Sequence, residues 1–349
     1  MDKPNGVPAE HESTTSNKPV VRRARRGYRW LLIALITIGV ALGLRSYWWP
    51  IPFQIAARHS LDLHEDVAAL EWLNWATWMS PEDGETAFLR MRIFRRTGHL
   101  DQMAGAMKRA YERHYSGTKL QREQWLGQAQ FGQLADVERH LATMLADPQG
   151  DTAEICEAYV VGYVQMGRVS SALQILQSWI TDWPAQARPY LLRARIWNRT
   201  AKFLPAIEDL QRAQQLEPTN VEVQFEFAST LHRDGQIEPA INGFTHCLND
   251  RRFAVRARTE LAQCLRTTND VLRAQKLLDQ AVRLEPDNVS ALTELGRLYL
   301  ECGRSADAVT TLQSAAQLAT RDRELDDLLG QALWADSRME QAKAHLRRP

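Results

Sequence analysis

Two stretches decide the fold: RPYLLRARIWNRTAKFLPAIEDLQRAQQLEPTN (Arg188–Asn220) and RARTELAQCLRTTNDVLRAQKLLDQAVRLEPDN (Arg256–Asn288). Laid over one another, Ala194, Ala206, Ala213 and Leu216-Glu217-Pro218 fall on Ala262, Ala274, Ala281 and Leu284-Glu285-Pro286. The offset is two periods of about 34 residues, the signature of stacked supersecondary units that share one continuous core.

Working outward, units begin at Ala153, Ala187, Val221, Val255, Val289 and Arg323 without a gap. Small residues recur in the first half of each unit, at Val160, Ala194, Ala228, Ala262, Gly296 and Gly330, and an alanine recurs in the second half, from Ala172 to Ala342. Small residues let two helices approach closely, and the large residues beside them fill the remaining space. Upstream the pattern blurs. Gly84–Gly117 keeps Phe94, Gly98, Met107 and Ala110; Thr118–Thr152 keeps Gly132 and Leu141 but needs one extra residue near its end; Pro50–Asp83 has a good second helix behind a first that reads poorly. Pro184, Pro218 and Pro286 follow helices they cannot continue. Gly98, Gly132, Gly167, Gly235 and Gly303 mark a turn inside each unit that favours left-handed backbone. No window alternates as a strand does.

This pattern resembles the tetratricopeptide repeat family, strongly over Ala153–Pro349. The resemblance implies an all-α, right-handed α-solenoid of helix-turn-helix units, eight complete and a ninth that ends in a polar capping helix, Gln341–Arg348. In this family the second, fifth, ninth, twelfth and thirteenth places of each first helix line a groove that binds protein or peptide. Carried over, the groove includes Arg188, Arg195, Arg199, Phe225, Arg233, Arg256, Arg266 and Arg297. Guanidinium groups grip carboxylates, so an acidic segment is one expected ligand. The competing reading pairs these arginines with nearby carboxylates such as Glu222, Asp234 and Glu260. The family's carboxylate clamp, Lys and Asn in the fifth and ninth places, is missing: the pairs read Glu157/Val161, Leu191/Arg195, Phe225/Ser229, Thr259/Gln263 and Thr293/Arg297.

The amino terminus has a different character. Residues 1–27 are polar and basic, read as a disordered tail, and the first 45 residues carry a balance of +5 against −4 for the rest. The uncharged run from Trp30 through Leu31 and Leu35 to Leu44 lies between Arg29 and Arg45, and Tyr47-Trp48-Trp49 follows. Taken over 28–49 as one helix of about 33 Å, it matches a bilayer core of about 30 Å, with arginines snorkelling and aromatic residues anchoring. We expect an uncleaved, single-pass signal-anchor with a cytoplasmic N-terminus and exoplasmic (periplasmic) repeats; a cleaved signal peptide, with Ala41-Leu42-Gly43 as its site, and a buried amphiphilic helix are the alternatives. Residues 50–152 form divergent units and 153–349 the regular array. Trp72, Trp75 and Trp78 either pack against the following helix or rest at the bilayer interface.

No catalytic, cofactor or metal constellation stands out. His59 and His64 point about 140° apart on a helix, and the sequence has no HExxH, CxxCH, phosphate loop or GxSxG. Cys156, Cys247, Cys264 and Cys302 are read as buried small residues, with a Cys247–Cys264 bridge left open. A mildly acidic solenoid does not suit nucleic acid. The expected function is a membrane-anchored scaffold for protein–protein interaction, without catalysis; the alternative is an accessory subunit of an envelope process such as export, secretion or cytochrome maturation. Oligomeric state and partner identity are not legible.

Overall fold

The computed structural model describes residues 49–81, 83–148, 151–319 and 322–346. The anchor expected over 28–49 lies outside the described residues except for Trp49, and among those described no helix is long and apolar enough to cross a membrane. The described chain is all-α, without a strand. It divides into two compact units, residues 1–130 with 135–147, and residues 131–134 with 148–349.

The first compact unit contains α1 (Ile51–Asp62), α2 (Asp66–Met79), α3 (Gly84–Arg96), α4 (Leu100–Glu112) and α5 (Gly117–Gln130). The weak-looking first helix does form, because Pro50 and Pro52 sit where a helix start needs no N–H. The unit starting at Thr118 departs most from regularity: its second helix is split into α6 (Leu134–Val137), a 3-10 turn at Glu138–His140 and α7 (Leu141–Ala146).

The second compact unit runs α8 (Thr152–Gln165), α9 (Val169–Asp182), α10 (Arg188–Arg199), α11 (Phe203–Leu216), α12 (Val221–Arg233), α13 (Ile237–Cys247), α14 (Ala254–Thr267), α15 (Val271–Leu284), α16 (Val289–Glu301), α17 (Ser305–Leu318), α18 (Arg323–Ala335) and α19 (Met339–Leu346). Each hairpin packs on the next, and the first helices α10, α12, α14 and α16 also each touch the next first helix, ending at α18. One core cluster extends from Ile207 through Phe225, Phe244 and Leu265 to Leu298, crossing three unit boundaries. Burying a large apolar side chain fully contributes roughly 1.5–3 kcal/mol, and here it is available only because neighbours share the core.

Repeated sequence produces repeated local bonding. In both Leu-Glu-Pro-x-Asn turns, Asn220 and Asn288 cap the following helix while their amides donate to Glu217 and Glu285 at 2.6 and 2.8 Å. The turn inside every hairpin carries a left-handed residue at the fifteenth place. Glycine fills it at Gly98, Gly132, Gly167, Gly235 and Gly303; His64, Ala201, Asn269 and Ser337 adopt the same positive φ in the other four. Nine equivalent turns therefore recur from the first hairpin to the last, the blurred units included, 34 residues apart except for the 35 between Gly132 and Gly167.

Candidate protein-binding face

The first helices of the second compact unit bring the groove arginines together, and the glutamates beside them decide what they can do. Arg188 lies between Glu157 of α8 and Glu222 of α12, bonding both, the latter at 3.2 Å. Arg195 bonds Glu222 and Glu226 at 2.8 Å. Arg266 reaches Glu301 at 2.6 Å and lies 3.9 Å from Glu294, and Arg297 reaches Glu324 at 2.5 Å. Each pair crosses a unit boundary. Arg188 and Arg195 are raised above the usual guanidinium range because the attraction and bonds of these glutamates outweigh their burial. Burial raises Glu294, whose Oε2 makes no hydrogen bond.

Four expected ligand-binding arginines thus join the fold together, a correction to the arginine-lined groove. The competing reading describes them better, although the partners are Glu157, Glu226, Glu294, Glu301 and Glu324 besides Glu222. Phe225 is a second correction. It is 1% exposed, packed between Phe244 and Phe253, because its fifth-place position faces the next hairpin. Leu191 and Thr259, at the same place, are buried too.

Of the seven expected groove arginines, the remaining three enter none of these ion pairs. Arg199 and Arg233 are exposed at equivalent places one unit apart, and Arg233 donates to the Asn198 carbonyl at 2.9 Å while stacking over Phe203. Arg256 is exposed over the ring of Phe225, 4.6 Å away. Nearby, His232 Nδ1 lies 3.4 Å from Glu260, and its hydrogen bonds to Cys264 and Glu260 push the imidazole up to about 10. A Cys-His-Glu set suggests nucleophilic chemistry, but Cys264 is fully buried and offers a substrate no access.

All four cysteines are free thiols, so no bridge joins Cys247 and Cys264. Burial pushes Cys247 up to about 11 and Cys156 to about 12, whereas Cys302, expected inside, is exposed at the end of α16. Among the described residues no group of His, Cys, Asp and Glu could hold a metal. The tryptophans Trp72, Trp75 and Trp78 are 41, 55 and 63% exposed, which overturns their packing against the following helix.

Sequence reasoning missed one buried ionic group in the first compact unit. Arg95 and Glu123, 1% and 2% exposed, meet at 2.5 Å, and Gln130 takes a further Arg95 hydrogen at 2.7 Å. A signal was present: Glu123 sits on the apolar stripe of α5 between Leu120 and Leu126.

Comparison with known proteins places residues 265–332 in a match to a model described as tetratricopeptide repeat. Three solved structures are similar in fold. PilF of Pseudomonas aeruginosa is 17% identical with a TM-score of 0.50, over 56% of this chain and 90% of that one. PilW, titled a widely conserved type IV pilus biogenesis factor, is 16% identical with a TM-score of 0.53, over 56% and 90%. A chain of the APC/C hetero-tetramer Cut9-Hcn1 is 16% identical with a TM-score of 0.58, over 79% of this chain and 54% of that one. Among curated proteins none matches. Residues 265–332 are therefore similar to the tetratricopeptide repeat, and the described chain shares the fold of these solved structures.

Proposed function

We propose that this chain is a membrane-anchored scaffold that holds a protein partner on the first-helix face of its array and performs no chemistry of its own. The observation that carries the reading is the ladder of cross-boundary ion pairs on that face: it spends most of the charge on alignment and leaves Arg199, Arg233 and Arg256 exposed. Aligned hairpins with a shared core present a preorganised surface, which lowers the entropic cost of binding. Arg199 and Arg233, one unit apart at the ends of α10 and α12, suit an acidic segment of the partner passing over both.

The anchor over 28–49, with the N-terminus in the cytoplasm and the repeats across the membrane, completes the reading. Its support is the arginine cluster before an uncharged run that matches a bilayer core when taken with its flanks over 28–49 as one helix. Tethering raises the local concentration of repeats for partners in the same membrane. Such a scaffold could equally serve as an accessory subunit of export, secretion or cytochrome maturation.

The test is affinity capture of the full chain from membranes, comparing wild type with Arg199→Glu/Arg233→Glu. The expected outcome is loss of a specific partner with unchanged helical content. Identical partner sets for both proteins would remove the arginine-reading part of the proposal, and no saturable partner at all would remove the scaffold.

A further inference from the structure

The first hairpin of a stack has no preceding neighbour, so a repeat protein in water makes this end polar. Here α1 and α2 do the opposite. Trp49, Ile55, Val67, Trp72, Trp75 and Trp78 are all exposed, between 41 and 63%. Of the six exposed tryptophans among the described residues, four fall within residues 49–78, so the composition of this end is not incidental.

Val67, Trp75 and Trp78 recur at helical spacing along one stripe of α2. Trp75 and Trp78 meet edge to face at 6.2 Å, and Trp72 lies 6.3 Å from Phe53 of α1, so the patch is continuous over both helices. Glu71 interrupts the stripe. Indoles with one carboxylate among them suit the headgroup layer, where an apolar ring and a polar N–H are both satisfied, better than hydrocarbon or a dry protein interface.

We infer that the α1–α2 face is a second membrane contact, lying flat on the lipid surface with Trp72, Trp75 and Trp78 at headgroup depth. The inference rests on the anchor reading. Residues 46–49 are all that separate Arg45, at the end of the uncharged run, from Pro50 at the start of α1. Fully extended, those five links reach at most about 18 Å, so a hairpin tethered there starts close to the lipid surface. Two attachments instead of one would also fix the orientation of the hairpin against the bilayer.

The experiment uses the full chain in vesicles of phosphatidylcholine and phosphatidylglycerol. It carries Cys302→Ser, which removes the exposed thiol, and a nitroxide on Trp75→Cys or, as a second site, Trp78→Cys. Leu272→Cys, at an 83% exposed position, serves as the aqueous reference. The expected result is a severalfold lower collision rate with a water-soluble nickel chelate at positions 75 and 78 than at 272, with oxygen collisions raised, in protein that resists carbonate extraction. Nickel accessibility equal to that at 272, in protein that stays in the membrane, overturns the contact and leaves the anchor standing. Protein that carbonate extracts overturns both; shielding at 75 under those conditions assigns the face to the apolar run 30–44 folding back. Spin–spin broadening at 75 overturns the contact in favour of a second copy of the chain.

Discussion

The hairpins of residues 50–147 and those of residues 153–346 build the same turn at the same place but keep their helices together differently. In the array, alanine sits fully buried at Ala172, Ala206, Ala240, Ala274, Ala308 and Ala342, and charges pair on a half-exposed face. Of the earlier hairpins the first keeps alanine there, Ala69, whereas Met103 and Val137 take the equivalent place in the next two. The room Met103 needs comes from Gly127 of the next first helix, where an added Cβ would stand 2.4 Å from the methionine's terminal methyl. Arg95 and Glu123 are also drawn into the core itself. A size exchange between neighbouring helices preserves the close approach while erasing the repeat from the sequence. The comparison teaches that the period is one solution to helix packing, and that a unit can lose it without losing the hairpin.

The largest expected effect breaks this comparison at its charges. Glu123→Ala removes a buried carboxylate that the buried Arg95 guanidinium bonds and is expected to lower stability by about 3–5 kcal/mol. Arg195→Gln in the array, at a side chain 35% exposed, is expected to cost about 1 kcal/mol or less. Urea midpoints of the two variants measure the contrast; equal shifts would mean that the two regions handle charge alike.

Packing gives an intermediate effect. At Gly296 an added Cβ would meet the branched carbon of Leu312 at 2.5 Å, so Gly296→Val overpacks a well-filled core by roughly 1–3 kcal/mol. Gly127→Ala presses on the flexible end of Met103 and is expected to cost less. Thermal unfolding of both ranks them, and the reverse order would refute the account of the size exchange.

The smallest effect tests where the regions agree. Gly98→Ala forces alanine to a φ of 82° and is expected to cost about 1 kcal/mol. Ala201→Gly relieves alanine at 54° and is expected to return a few tenths of that, the remainder offset by the freedom of glycine in the unfolded chain. Denaturation midpoints moving in opposite directions would show one turn geometry in both regions.

Much of the fold was legible because local signals repeat. Pro218 and Pro286 stop helices, Asn220 and Asn288 start them, and Gly235 or Gly303 turns the chain, each through interactions within a few residues. The candidate face was legible only in part. The arginines were found, but not their partners, because Arg188, Arg195, Arg266 and Arg297 bond glutamates 27 to 35 residues away, about one unit along the chain. A search for opposite charges one period apart would have found them.

The sequence alone determined the period, the hairpin turns and the helix ends, since backbone sterics and capping act over a few residues and each repeat states them again. Only the tertiary structure decided which side chains are spent on the stack and which stay exposed: Phe225 inward, Arg188 between two glutamates, Arg199 and Arg233 outward, and Trp75 at the surface of the first hairpin. Those outcomes depend on which groups from neighbouring units fill the same space, and ion pairing and burial are settled by that proximity rather than by any residue's own preference.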